Sequence, residues 1–315
     1  MKIIWASLII FLLHASVQAA DKIRVAIPPG VHAYIPLAQK KGFFKEEGLD
    51  AEVIEMRSPA VATVALANGE IDYFSVIGSS VTAALRGLPI KVVACYIPCS
   101  PLIFIARPEF KEVQQLKAKT VGFGEVGSSR DVLARMVLRH FGISEKEMKF
   151  IRSGPNETSL AAMKQGLIAA TLLAPIWALE GKKLGFNVLA NACELFSWPT
   201  AGLVTTAKKI KERPDEIKRV IKAAIKATRY ILQNREGSIQ FLMQWQKIDR
   251  EIATGTYEYL PKAYNDDGTL PEKGFRLVIE EAKKLAKVDR EVSLSEVADL
   301  SILKEAQQEL GIKGK

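Results

Sequence analysis

Between residues 22 and 192 the chain alternates short β-branched runs with stretches of helical periodicity, and it does so twice. The runs at 23–27, 51–56, 71–77 and 91–97 are strand-like, and strands alternating with helices predict a parallel sheet covered by helices. The punctuation agrees. Ser58-Pro59 offers a cap and a proline for a first helical position, Asn68-Gly69 closes that helix, Ser79-Ser80 opens the next, and Gly87 ends it before Pro89. The pattern returns 97 positions later: Gly30, Gly69 and Ile71 recur as Gly127, Gly166 and Ile168, and residues 65–71 and 162–168 both read as helix, turn and strand. Such self-similarity implies two related halves.

Two apolar runs separate the halves from their surroundings. One lies between Pro101 and Pro108, the other follows Trp198-Pro199 as far as Thr206. Read as strands passing between halves, they make two hinge crossovers over a cleft. Lobe one is then expected at 20–104 plus 200–315, and lobe two at 105–199. The remainder, 207–315, is mostly amphipathic helix, with Ile217, Val220, Ile221, Ala224, Ile225 and Thr228 at helical spacing, and is expected to pack on lobe one. Tyr257, Tyr259 and Tyr264, with Asn265-Asp266-Asp267-Gly268, mark a turn-rich stretch.

The N-terminus has the form of a secretory signal peptide, 1–19. Lys2 precedes an apolar run at 3–13, and Val17 and Ala19 are the small residues of a cut after Ala19. The run is shorter than the roughly 20 residues that span a bilayer, and no cysteine follows it to carry a lipid, so the expected location is the periplasm. Cys95, Cys99 and Cys193 are too few for a disulfide scaffold. Cys95 reads as a small buried apolar residue, with a Cys95–Cys99 bridge left open. Beyond the leader only His32 and His140 offer imidazoles, so no metal site is expected. The net charge of +9 attracts anions without choosing among them. Basic runs such as Lys208-Lys209-Ile210-Lys211 stand beside Glu212 and Glu216 and read as solvated helix faces; nucleic acid is not an expected partner.

The string Gly122-Phe123-Gly124-Glu125-Val126-Gly127-Ser128-Ser129-Arg130 matches G-x-G-x-x-G between a strand and a helix. A dinucleotide site needs an acidic residue at the end of the next strand, where this chain has Arg152-Ser153-Gly154. What survives is a helix start whose free N–H groups and hydroxyls suit a carboxylate, phosphate or sulfonate. Gly127, Ser128, Ser129 and Arg130 are therefore the anion-binding candidates. The serines are alternatively a helix cap, and Arg130 alternatively faces solvent or pairs with Asp131. Ser79 and Ser80 form the matching turn of lobe one, at the carboxyl end of its sheet, where ligands of such folds bind. His32 and Tyr34 after the first strand, Tyr96 at a strand end, and Trp177 after Pro175-Ile176 are candidate cleft walls, with plain packing the alternative for each. No G-x-S-x-G, H-E-x-x-H or Walker pattern is present. No catalytic residue and no cofactor is expected.

Residues 35–49, Ala67-Asn68-Gly69-Glu70-Ile71-Asp72-Tyr73 and Leu116-Lys117-Ala118-Lys119-Thr120-Val121-Gly122 resemble the ABC-transporter binding-protein family for nitrate, sulfonates, taurine and thiamine pyrimidine precursors. The similarity runs from about 23 to 206. It implies an α/β, two-lobed type II periplasmic-binding-protein fold, with a cleft lined by loops after strands that include Ser79, Ser80, Ser128 and Ser129. It further implies a monomeric exported component of an ABC importer, not an enzyme, that binds a small anionic or aromatic heterocyclic solute and docks on an ABC permease and its ATPase. The chain departs from the family pattern at Ile168-Ala169, in place of a Gly-Glu-Val-Asp type turn, and at Pro28-Pro29-Gly30. Two rivals stand beside this reading. Eukaryotic relatives make a thiamine pyrimidine by consuming their own histidine and a bound pyridoxal phosphate, chemistry against which a signal peptide counts. The other rival is a ligand-sensing partner of a receptor kinase.

Overall fold

In the computed structural model, which describes residues 20–30 and 32–312, the β-branched runs become two five-stranded sheets. The expected signal peptide and its cut lie outside the described residues. Strands β1 (Asp21–Ile27), β2 (Leu49–Glu55), β3 (Tyr73–Val76) and β4 (Ile90–Ile97) belong to the first sheet. The second holds β5 (Ile103–Ala106), β6 (Thr120–Phe123), β7 (Lys149–Arg152), β8 (Ala170–Leu173) and β9 (Asn187–Asn191). Strand β10 (Ala201–Thr206) returns to the first. The orders are β2-β1-β3-β10-β4 and β7-β6-β8-β5-β9, the same topology twice.

The repeat expected from the sequence is present in the elements. Helix α1 (Tyr34–Lys41), the short α2 (Phe43–Glu46), α3 (Pro59–Ala67) and α4 (Ile77–Leu85) follow the strands of the first lobe. Helices α5 (Ser129–His140), α6 (Asn156–Lys164), α7 (Pro175–Lys183) and α8 (Ala192–Leu195) follow those of the second. Pro59 and Asn156 open equivalent helices, and Tyr73 and Ala170 open equivalent strands, each pair 97 positions apart. The Ser58-Pro59 start is the one the sequence signals: the Ser58 hydroxyl accepts from the N–H of Val61, and Pro59, like Pro175 of α7, sits in a first turn, where a missing N–H costs nothing. Ser79-Ser80 does not open its helix; α4 begins at Ile77, with Val76 at the cap position.

Neither sheet is wholly parallel. β10 runs antiparallel to β3 and β4, and β5 antiparallel to β8 and β9. The reason is geometric. Both strands arrive from the other lobe across the cleft, which lies at the carboxyl ends of the parallel strands, so they enter from that end and run back. The crossovers occupy 98–102 and 192–200. A lobe limit at 104/105 falls inside β5, whose four buried residues pair on both sides within the second sheet.

The C-terminal residues form α9 (Ala207–Glu212), α10 (Pro214–Gln233), α11 (Arg235–Gln246), α12 (Arg250–Tyr257), α13 (Leu260–Ala263), α14 (Glu272–Ala286), α15 (Leu294–Val297) and α16 (Ser301–Glu309). Helix α10 buries the expected stripe and packs on α1, α16 and β4. Helix α14 runs along α4. The segment does not stay on lobe one, however: α12 lies on α7 of the second lobe, so close that a Cβ on Gly255 would come within 2.8 Å of Leu179 Cδ1. Packed between α7 and α11, α12 buries its apolar side, including Ile252 and Ala253. In the basic run, Lys209 is not merely solvated; its Nζ lies 2.7 Å from Asp72 and 2.8 Å from Glu216.

Cys95 is buried and free, while Cys99 pairs with Cys193. The bridge joins one crossover to the other, with Cα atoms 4.8 Å apart. Cys95 sits within β4, in the apolar core, and Cys99 lies beyond its end, next to the returning chain. Among the described residues no helix is long and apolar enough to cross a membrane.

Candidate functional site

The parallel strands of both sheets end around one cavity of about 600 Å³. From the first lobe it is lined by Pro28, Gly30 and His32 after β1, Arg57 after β2 and Val76 at the end of β3; from the second, by Gly124 after β6, Gly154 after β7 and Ala174 after β8. The loops after β1, β2, β6, β7 and β8 each lead into a helix, so the N-terminal ends of α1, α3, α5, α6 and α7 lie around the same space. Helix starts favour negative charge.

Arg130 adds the one deep charge. Its Nε donates to Leu172 O (2.9 Å), Nη1 to Gly154 O (2.8 Å), and Nη2 to Ser159 Oγ (2.8 Å) and Thr171 Oγ1 (3.3 Å). It therefore neither faces solvent nor pairs with Asp131, which is bound by Arg135 instead. No carboxylate bonds this guanidinium among the described residues, and one of its five N–H groups, on Nη1, is left over. Burial pulls its pKa down to about 10, with Glu157 opposing the shift, so it is a cation at neutral pH. Gly124 is next to both groups: a Cβ there would crowd Ser128 Oγ at 3.3 Å and touch Arg130 Nη1 at an ordinary 3.6 Å.

Ser128 and Ser129 both line the cavity. Ser128 is at the same time the cap of α5, its Oγ accepting from Asp131 N at 3.4 Å. Gly127 faces away, with a positive φ of 76° and Leu285 of α14 within 3.3 Å of a would-be Cβ. Gly78 and Ser129 do meet across the cleft, 3.6 Å apart by the same measure. Ser79 and Ser80 do not reach the cavity, because α4 starts directly on β3 with no loop between. Both are turned into the fold: Ser80 Oγ bonds Val76 O at 2.6 Å, and Ser79 Oγ is buried without a partner among the described residues.

His32 and Trp177 are wall residues. His32 is buried, has a φ of 61°, and shares a 2.7 Å hydrogen bond between Nδ1 and Ser75 Oγ. Burial pushes its pKa down to about 3, so the ring is neutral. Tyr34 and Tyr96 stand one layer behind. They pack on each other with centroids 4.9 Å apart, and the Tyr34 hydroxyl donates to Gly202 O at 2.6 Å. The ring of that cluster that lines the cavity is Tyr264.

The C-terminal helices supply a third wall that sequence reasoning missed: Leu242 and Trp245 of α11, Lys247, Thr256 of α12, Leu260 and Tyr264. No local pattern marks these positions; they are ordinary residues of amphipathic helices and turns until α12 docks on α7. Around the opening, Arg57 reaches Glu157 at 3.3 Å and Ser58 reaches Glu125 at 3.4 Å, in both cases from one lobe to the other. Arg152 is 3.5 Å from Glu125.

The comparisons with known proteins agree with this architecture. A family model described as NMT1/THI5 like matches residues 30–238, about two thirds of the chain. The 4-amino-5-hydroxymethyl-2-methylpyrimidine phosphate synthase THI5 of Saccharomyces cerevisiae is 27% identical over 238 residues, spanning 68% of each chain. The periplasmic nitrate-binding protein NrtA from Synechocystis PCC 6803 superposes with a TM-score of 0.79 at 16% identity, over 93% of this chain and 90% of that one. The alkanesulfonate-binding protein SsuA from Xanthomonas axonopodis pv. citri, bound to MOPS, does so with 0.73 at 17% identity, over 90% and 97%. The fold is that of the two-lobed periplasmic binding proteins.

Proposed function

This chain belongs to the NMT1/THI5-like family, and from that premise we propose that it is the exported solute-binding component of an ABC importer, holding a small anion between its lobes in the periplasm. The observation that carries the reading is Arg130. A guanidinium withdrawn from water is costly unless an anion or a full set of acceptors compensates it. Here neutral oxygens take four of its N–H groups, and the fifth stays beside the cavity. An incoming carboxylate or sulfonate would complete the set with a charge-assisted bond. The leader-like N-terminus and the names of the structural neighbours support export and solute capture.

The mechanism is closure. Both lobes contribute walls, two crossovers connect them, and Arg57–Glu157 and Ser58–Glu125 bridge them beside the cavity. An exposed ion pair such as Arg57–Glu157 contributes only about 0–1 kcal/mol, so it leaves the solute to decide the balance at this edge of the cavity. The closed form is then the one that docks on a permease and its ATPase, as a monomer. The test is a thermal-shift screen of the mature protein, unfolded and refolded to strip carried-over solute, against sulfonates, nitrate, carboxylates, pyrimidines and aromatic acids. A solute at about 100 times its dissociation constant stabilises by roughly 2.7 kcal/mol, and the shift should vanish in the Ser128→Ala, Ser129→Ala double variant. No shift with any compound overturns the reading.

A second reading, synthesis of a pyrimidine as the yeast relatives are named for, is favoured by one observation: a buried histidine, His32, stands in the cavity wall. A pyridoxal chromophore in the purified protein would support it, and purified protein without one, saturable by a solute that is recovered unchanged, would exclude it.

A further inference from the structure

The cavity is divided very unequally between charge and apolar surface. Trp177, Trp245 and Tyr264 supply aromatic rings, and Leu102, Leu242 and Leu260 supply aliphatic walls. Against these stand four cations, Arg57, Arg130, Arg152 and Lys247, and three carboxylates, Glu55, Glu125 and Glu157. Arg57 is engaged by Glu157 and Arg152 by Glu125, while Glu55 and Lys247 are exposed. The interior is left with Arg130.

From this partition we infer that the solute is a bulky, aromatic-bodied monoanion, and not a small inorganic oxyanion. The inference rests on the solute-binding reading and narrows it. A volume of about 600 Å³ falls within the roughly 300–1,000 Å³ of sites that enclose drug-sized molecules. An ion of four or five atoms would leave most of the apolar wall in contact with trapped water. The acid of the solute meets Arg130 and Ser128, and its rings lie among Trp177, Trp245 and Tyr264.

The test is titration of the stripped, refolded protein, followed by tryptophan fluorescence and calorimetry, with nitrate, methanesulfonate, benzoate, 1-naphthoate, 2-naphthoate and 2-naphthamide. The naphthoates are expected to bind about tenfold or more tighter than benzoate and the small oxyanions, and the neutral amide about tenfold or more weaker than its acid. Trp177→Ala and Trp245→Ala should each weaken 2-naphthoate about tenfold. Nitrate or methanesulfonate binding as tightly as the naphthoates, or the amide binding as tightly as the acid, overturns the inference while leaving solute capture intact. Silence of the whole solute collection overturns both. A tryptophan variant that unfolds is replaced by Trp→Leu at the same position, which keeps apolar bulk and removes the ring, and for which an unchanged affinity for 2-naphthoate counts against the inference.

Discussion

His32 combines three properties that seldom coincide in one residue: a left-handed backbone, full burial and a place in a cavity wall. Non-glycine residues at positive φ persist where the surroundings hold them, and Ser75 does that here through Nδ1. The buried ring resists protonation, with a pKa near 3 against an ordinary 6.5. The unfolded chain therefore takes up the proton first as pH falls. The stability that comes from keeping this ring neutral is complete above about pH 6.5 and is lost progressively toward pH 3, amounting to about 2 kcal/mol at pH 5. His32→Asn, which tolerates the left-handed backbone and does not titrate in this range, should flatten the stability profile between pH 7 and 5. Urea titrations at pH 7, 6 and 5 check this; parallel profiles for the two proteins would remove His32 as the cause. Position alone picked out His32 in the sequence, as a residue of a loop after a strand. Its backbone strain and its bond to Ser75 needed the fold.

At the scale of elements, the pair Ser128 and Ser129 illustrates how one short string serves two purposes. Ser128 caps α5 and lines the cavity, whereas Ser129 makes no cap bond and opens the helix. Ser128→Ala should cost about 1 kcal/mol of stability, while Ser129→Ala should leave stability within about 0.5 kcal/mol; chemical denaturation of the two single variants separates them. The glycines of the same string have their own reasons, none involving a nucleotide. A Cβ on Gly122 would come within 2.6 Å of Ile168 and Ser153, and Gly127 has a positive φ. Periodicity revealed the α10 stripe because a 20-residue helix repeats its signal. It left α12 unplaced, because eight residues carry an apolar side without saying which lobe that side will cover.

For the whole molecule, the Cys99–Cys193 bridge is the clearest constraint. It closes a sequence separation of 94 residues and ties the two crossovers together, so the second lobe is linked to the first by a stapled pair of strands. Loss of a native bridge of this span costs about 2–5 kcal/mol, and Cys193→Ser should lower the unfolding midpoint accordingly. Burial pushes the Cys95 thiol well above its ordinary range. After mild reduction of the native protein, a thiol reagent should consequently modify two cysteines, with Cys95 reacting only on unfolding. Three reactive thiols in the native state would contradict the packing around β4.

The order of strands and helices, the 97-residue repeat, the two crossovers and the helix start at Ser128 were all legible in the sequence. Each is a local or periodic property, written in residues close together along the chain. Tertiary structure decided the rest: the antiparallel entry of β5 and β10, the partner of Cys99, the inward turn of Arg130, the withdrawal of Ser79, Ser80, Tyr34 and Tyr96 from the cavity, and the third wall from α11 to Tyr264. These depend on which of several equally amphipathic faces meet in space, and burial free energy is non-directional. Only the packed molecule selects among them.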